Sequence, residues 1–160
     1  MAQKKGSEAD DLREAVSKAE AGDVLELDEA WSFVGEKANK RWLWLALCRR
    51  TREVVAFAIG DRSARTCARL WSKIPEGYRA GRSVSDFWEA YGTVFSDESH
   101  EQVGKTSGEC AHIERFFCTL RQRLARFVRK TLAFSKSERM HHLVVKLFVM
   151  AYNRQLSLNG

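Results

Sequence analysis

The chain has 160 residues, 44% of them hydrophobic and only one of them proline, which predicts one folded domain with a sizeable core and argues against disorder. A formal net charge of +6 and a pI near 9.3 favour acidic partners, with nucleic acid first among them. The four cysteines form no C-x-x-C pair, and no stretch resembles a signal peptide or is long enough to span a bilayer. We therefore expect reduced thiols and a cytoplasmic protein without a membrane partner.

The first third of the chain predicts a polar arm followed by three strands. Residues 1–23 have too few apolar positions to anchor a helix firmly, and we interpret them as a polar helical N-terminal arm in front of a domain over 24–160. The alternating pattern at 24–35 and the apolar runs at 41–50 and 52–60 predict strands. Their short connections predict an antiparallel meander.

The middle of the chain predicts helices that alternate with short strands. Apolar residues at helical spacing predict a helix over 63–74, with Ser63 available as its N-cap. A short strand then leads to Asp86, and the aromatic segment 87–95 predicts another helix. The residues SHEQVGK that follow predict a fifth strand.

Two long helices complete the predicted fold. Apolar residues recur at positions i, i+3/4 and i+7 in segment 108–130, which is typical of an amphipathic helix. The very apolar segment 137–156 predicts the last helix, with Ser137 as its N-cap. The order of these elements predicts an α/β fold with a mixed sheet flanked by helices.

Three carboxylates fall where these elements can bring them together. Asp28 lies near the middle of the first strand, Asp86 at the end of the fourth strand, and Glu114 in the long amphipathic helix. If the first and fourth strands are neighbours and the helix packs over them, the side chains converge and can hold two divalent cations. From the pattern alone, Asp86 is equally well interpreted as a helix cap, and Glu114 as a solvated residue paired with Arg115 or Arg121.

The amphipathic helix also concentrates positive charge. From Arg115 to Lys130 there are six Arg or Lys residues and no acidic residue. Such a face favours sequence-independent contacts with phosphates, and a plain solvated helix face is the alternative. The candidate DNA-binding residues of this segment are Arg115, Arg121, Gln122, Arg126, Arg129 and Lys130.

Seven motifs occur in order over most of the chain. They are LDEAWSFVG, WLWLAL, TREVVAFAIGDRS, SDFWEAY, VGKTSGE, HIERF and LRQRLARFVRKTLAFSKS. Together they resemble the transposases of the insertion-sequence-one family. This resemblance implies an RNase H-like fold, with a mixed five-stranded sheet and long C-terminal helices. It also implies a DDE catalytic triad, whose members align with Asp28, Asp86 and Glu114.

The reaction that the resemblance implies is phosphoryl transfer on DNA with two Mg²⁺ or Mn²⁺ ions, for which the triad supplies both the metal ligands and the catalytic residues. One strand is cut at the end of the element to leave a 3′-OH, which then attacks a phosphodiester of the target. Two alternatives remain open. One is a catalytically inactive, truncated transposase that binds DNA as an inhibitor, and the other is an RNase H-like nuclease without strand transfer.

Four more residues are candidates for supporting roles. The resemblance makes Lys136 a candidate DNA contact, with a plain surface lysine as the alternative. His112 and His141 are candidate accessory residues that position water or phosphate, although a lone histidine is more often structural. Trp88 is a candidate for stacking on a flipped or frayed base, and core packing is its alternative.

The resemblance also bears on partners. Transposases of this family usually carry an N-terminal zinc-binding and helix-turn-helix region, whereas residues 1–23 contain no Cys or His. We therefore expect either a separate end-recognition chain or a truncated remnant. Because transposases act as multimers on paired DNA ends, we also expect a homodimer or multimer. The predicted contact is the apolar last helix, between Leu143 and Tyr152, and the predicted location is the nucleoid.

Overall fold

A computed structural model of the chain describes residues 12–13, 15–95, 98–124, 127 and 135–159. Within them lies one sheet of five strands, in the order β3-β2-β1-β4-β5. β2 runs antiparallel to both of its neighbours, β1 and β3, whereas β4 runs parallel to β1, and β5 parallel to β4. The strands are β1 (Val24–Phe33), β2 (Lys40–Cys48), β3 (Val54–Gly60), β4 (Arg82–Ser85) and β5 (His100–Gln102). The predicted mixed sheet, the meander and the fifth strand are confirmed.

Helices flank this sheet on both faces. In the part of the chain that the structure describes, they are α1 (Ala64–Lys73), α2 (Glu76–Arg79), α3 (Glu89–Val94), α4 (Ala111–Arg123) and α5 (Glu138–Asn159). A single 3₁₀ turn, Lys105–Ser107, precedes α4. The sequence did not predict the short helix α2, which directly follows Pro75. The predicted long C-terminal helix is confirmed, and none of the described helices is long and apolar enough to cross a membrane.

Strand alternation divides the core into two clusters, one on each face of the sheet. Leu25 and Leu27 of β1 face the cluster that includes Leu70 of α1 and Tyr91 of α3. Ala30 faces the opposite cluster, to which α4 and α5 contribute buried apolar residues. Those residues are Ile113, Phe116, Phe117, Leu120, Val145 and Val149. This second face carries the helix that brings Glu114 to the sheet.

Of the two helix caps predicted from the sequence, one is confirmed and the other is not. Ser63 occupies the N-cap position of α1, but its hydroxyl donates to Asp61 rather than capping the helix. The backbone N–H of Met140 donates to Ser137 Oγ over 3.2 Å, which confirms the predicted cap of the last helix. Most of the predicted arm (1–11 and 14) and part of the long amphipathic segment (125–126 and 128–130) lie outside the described residues.

Candidate active site

The sheet opens on one side of β1 because β4 is much shorter than β1. Val84 of β4 pairs with Glu26 of β1, and β4 ends one residue later. Asp86 therefore leaves the sheet beside Asp28. A cleft of about 270 Å³ lies here, and its walls come from β1, the end of β4, the segment before α4, and α4 itself. The lining residues are Leu27, Asp28, Glu29, Asp86, Val103, Gly104, Lys105, Cys110, Glu114 and Arg121.

The three carboxylates predicted from the sequence thus share one cleft, but the tightest group includes a fourth acid. Oxygen atoms of Asp28, Glu29 and Asp86 lie within 4.8 Å of one another. Glu114 lines the same cleft outside this group. Sequence reasoning missed Glu29, because alternation places adjacent strand residues on opposite faces. Glu29 reaches Asp86 because β4 has already ended beside it, and its only sequence signal was its position next to Asp28.

Glu29 is held firmly by its own neighbours. Its side chain is 1% exposed, and Tyr91 Oη donates to Glu29 Oε2 over 2.6 Å. The Arg62 guanidinium donates to Glu29 Oε1 over 2.9 and 3.1 Å. That guanidinium lies 3.9 Å from the ring centroid of Trp88 and 4.5 Å from that of Trp42. Arg62 compensates the negative charge of Glu29. A metal cation in the cleft would therefore chiefly neutralise the negative charges of Asp28 and Asp86.

Burial and crowding of like charges perturb Asp28. Desolvation, followed by the nearby charge of Glu29 and smaller contributions from Asp86 and Glu114, raises the pKa of Asp28 to about 7. The backbone N–H of Glu29 donates to Asp28 Oδ1 over 2.8 Å and partly opposes this rise. Burial likewise raises the pKa of Glu29, against the hydrogen bonds from Tyr91 and Arg62.

The donor chemistry of the cleft fits a hard divalent cation. Carboxylate oxygens are the ligands that Mg²⁺ and Mn²⁺ prefer, and they tolerate being shared between ions. Asp28 and Asp86 repel each other in the absence of a counter-charge. A divalent cation would remove that repulsion and favour the ionised form of Asp28. The residues present therefore fit the metal that the family resemblance implies.

The alternative interpretation of Asp86, as a helix cap, is wrong. α3 begins at Glu89, its N-cap position is Trp88, and that position has no side-chain cap. Asp86 Oδ1 instead accepts a hydrogen bond from the backbone N–H of Trp88 over 3.0 Å, which closes a local turn before the helix. This turn holds the Asp86 side chain at the cleft.

Basic side chains also line the cleft. Arg121 lies in its wall with Glu114, about two turns further along α4, and Lys105 contributes from the 3₁₀ turn. Arg115, Gln122 and Lys136 are exposed, so these predicted DNA contacts are accessible. The remaining predicted contacts, Arg126, Arg129 and Lys130, lie outside the described residues.

The two candidate accessory histidines have different surroundings. His112 Nδ1 lies 2.7 Å from Oε2 of the buried Glu26, at the start of α4. His141 is buried, with Nε2 2.8 Å from Ser32 Oγ and Nδ1 2.7 Å from Ser135 Oγ. His141 therefore links α5 to β1, and it is not among the described residues that line the cleft. These contacts favour a structural role for His141, the alternative to an accessory role in catalysis.

Comparison with known proteins identifies the family of this α/β chain. Residues 23–155 match the IS1 transposase family, and the chain therefore belongs to that family. It is 39% identical over 126 residues to insertion element iso-IS1n protein InsB of Shigella dysenteriae, covering 79% of this chain and 93% of that protein. It is 38% identical over 120 residues to insertion element IS1 protein InsB of Shigella flexneri, covering 75% and 88%.

A third relative supports the same assignment. Insertion element IS1 4 protein InsB of Escherichia coli (strain K12) is 37% identical over 120 residues, which cover 75% of this chain and 70% of that protein. The resemblance inferred from the motifs is thereby confirmed. The chain is placed among the transposases of insertion elements, a class of proteins that bind DNA.

Proposed function

We propose that this chain is the RNase H-like DDE catalytic domain of a transposase, which cuts and joins DNA strands with Asp28, Asp86 and Glu114 as its catalytic residues. One observation carries the proposal. Three acids separated by 58 and 28 positions in the sequence, from β1, the end of β4 and α4, line a single cleft. Membership of the IS1 transposase family supports it independently.

The proposed cofactor is Mg²⁺ or Mn²⁺, as two ions. When bound, such ions stabilise the attacking and leaving oxygens of a phosphoryl transfer. Asp28 and Asp86 would hold them, because these two carboxylates lie together without an arginine of their own among the contacts described. Glu114, which lines the cleft from α4, would complete the ligand shell of one ion. Glu29 would contribute less, since Arg62 and Tyr91 already occupy its oxygens.

Each step of the proposed reaction exchanges one P–O bond for another. Water first attacks a phosphodiester at the element end, and the strand leaves as a 3′-OH. That 3′-OH then attacks a phosphodiester of the target, and a 3′-OH of the target strand leaves. Because no net bond is lost in the joining step, the protein supplies positioning and charge rather than a covalent intermediate.

The basic side chains at the cleft would hold the scissile strand. Lys105 and Arg121 line the wall around the acids, where they can contact the phosphates on either side of the reacting one. Arg115 and Gln122 extend this surface along α4, and Lys136 is a further exposed contact. Contacts of this kind neutralise phosphates without reading bases, so binding by this surface should be independent of sequence.

A second copy of the chain is the proposed partner at α5. Four apolar residues of α5 have exposed side chains, and successive helix positions turn by about 100°, which places the four within an arc of about 60°. They are Met140 (45% exposed), Leu143 (41%), Leu147 (58%) and Leu158 (77%). Two such stripes packed together would bury apolar surface that each copy exposes alone. Association with the nucleoid remains part of the same proposal.

The test is metal-dependent cleavage and joining of a supercoiled plasmid, with the Asp86→Asn variant beside wild type. Asp86→Asn should lose both activities while its DNA affinity stays within twofold, because Asn keeps the shape of Asp but not its charge. The matched control is Glu89→Gln, an exposed acid three residues along the chain that does not line the cleft. It should behave like wild type.

The products separate this proposal from its alternatives. Cuts without joined strands would identify a nuclease, and DNA binding without any metal-dependent cut would identify an inactive, inhibitory transposase. Equal cleavage by Asp86→Asn and wild type would refute the assignment of the catalytic residues.

A further inference from the structure

A buried acid, Glu26, takes over the capping of α4. Glu26 precedes Asp28 by two residues in β1, so both side chains lie on the same face of the strand. Its side chain is completely buried. Glu26 Oε1 accepts hydrogen bonds from the backbone N–H groups of His112 (3.0 Å) and Ile113 (3.4 Å), in the first turn of α4. The residue at the N-cap position, Cys110, makes no side-chain cap.

The charge of Glu26 is compensated by neighbours that also belong to this junction. His112 Nδ1 lies 2.7 Å from Glu26 Oε2, and Arg49 Nε lies 3.4 Å from the same oxygen. Arg49 Nη2 also donates to the carbonyl oxygen (2.6 Å) and to the carboxylate (2.8 Å) of Glu109, just before α4. A buried carboxylate is stable only with such partners. The start of α4 is therefore tied to β1 by Glu26 and to the β2–β3 turn by Arg49.

These contacts connect Glu26 to the two elements that carry Asp28 and Glu114. It shares a strand with Asp28, and it holds the helix turn from which Glu114 projects into the cleft. We propose that Glu26 is a positioning residue, which fixes α4 against β1 and thereby sets where Glu114 stands relative to Asp28. This inference rests on the proposed function, in which Glu114 is a metal ligand.

The simpler explanation is that Glu26 only stabilises the fold. Comparison with a second buried acid outside the cleft distinguishes this explanation from the positioning role. Glu53 is likewise a buried carboxylate (3% exposed), which accepts hydrogen bonds from the backbone N–H (2.9 Å) and the hydroxyl (3.1 Å) of Ser17. It does not line the cleft. Glu26→Leu and Glu53→Leu both remove a buried acceptor, but only Glu26→Leu releases α4. Glu26→Gln keeps an oxygen for the two backbone donors and serves as the rescue variant.

The first readout is hydrogen exchange of the His112 and Ile113 amides, measured by NMR without metal. Glu26→Leu should accelerate their exchange at least tenfold relative to the core amides, whereas Glu26→Gln and Glu53→Leu should stay within about threefold of wild type. Unchanged exchange in Glu26→Leu would overturn the proposal. If Glu26→Leu does not fold, Glu26→Asp, whose shorter side chain reaches the helix less well, replaces it under the same criteria.

The second readout is Mn²⁺ affinity by calorimetry, in a double-mutant cycle with Glu114→Gln. Glu26→Leu should weaken Mn²⁺ binding by about tenfold, as removal of a residue that orients a ligand commonly does. In the Glu114→Gln background, the same change should weaken binding less than twofold, because the ligand that Glu26 positions is already absent. Equal losses in both backgrounds would overturn the positioning role.

The two readouts separate failure of this inference from failure of the proposed function. If wild type binds no Mn²⁺ with or without a short DNA duplex, the proposed function fails. The amide exchange then decides by itself whether Glu26 holds α4 in place.

Discussion

Replacing Asp28 with Asn should stabilise the metal-free protein even though it removes a proposed catalytic residue. Asp28 is surrounded by burial and by the like charges of Glu29, Asp86 and Glu114, which raise its pKa. Asn carries no charge, and its Oδ1 can still accept the hydrogen bond that the Glu29 N–H donates over 2.8 Å. The substitution therefore removes the repulsion while it keeps the local hydrogen bond.

The pKa shift sets the size and the pH range of this gain. The pKa of Asp28 rises from 3.8 to about 7, and each pH unit between the unfolded and folded values is worth about 1.4 kcal/mol. Below pH 4 both states bind the proton, and Asp28→Asn gains nothing. Between pH 4 and 7 only the folded state keeps the proton, so the penalty on wild type grows, and above pH 7 it is constant. The upper limit is about 4 kcal/mol, and solvent in the cleft reduces this to roughly 1–3 kcal/mol.

The assay is urea denaturation in EDTA at several pH values between 4 and 8, for both proteins. Asp61→Asn is a control of opposite sign, because hydrogen bonds from Ser63 and Thr66 lower the pKa of Asp61. That variant should lose stability near neutral pH, and the loss should disappear as the pH falls through the folded pKa of Asp61. A gain for Asp28→Asn that is the same at pH 4 and pH 8, or is absent at pH 8, would refute the electrostatic reasoning. Added Mn²⁺ should stabilise wild type but not Asp28→Asn.

Three further outcomes follow from the structure. Replacing Lys105 and Arg121 by Ala should weaken binding of all DNA sequences and reduce the salt slope by roughly one per lost phosphate contact, as fluorescence anisotropy can measure; an unchanged slope would move the DNA surface elsewhere. Leu147→Glu should convert a dimer into a monomer in sedimentation experiments, and a wild type that is monomeric at every concentration would contradict the α5 interface. Tyr91→Phe should lower the free energy of unfolding by about 1–3 kcal/mol, because Glu29 loses a buried hydrogen-bond donor; urea denaturation within error of wild type would count against that bond.

Local pattern was sufficient to predict most elements of the fold. Alternation in β1 and the apolar runs of β2 and β3 predicted the meander, because a strand's side chains repeat every two residues whatever its neighbours are. Helical spacing predicted α1 and α4 for the same local reason, and the very apolar segment 137–156 predicted α5. Their exact ends were less predictable, since caps depend on contacts: Ser63 sits at the start of α1, yet its hydroxyl bonds to Asp61.

The sequence also determined which acids were candidates, but only the fold decided how they are arranged. The motifs singled out Asp28, Asp86 and Glu114 among the acids, and the short β4 beside the long β1 is what places them in one cleft. The same ending of β4 admits Glu29 to the group, although strand alternation places it on the other face.

Glu26 illustrates the limit of local reasoning most clearly. In the sequence it is one more acid of a strand, 86 residues away from the helix that it caps. Hydrogen-bond geometry and burial are properties of three-dimensional neighbours, and no periodicity records which distant segment will supply them. The sequence alone thus determined most of the elements, the family and the candidate acids, and the tertiary structure decided which charges meet and what holds them there.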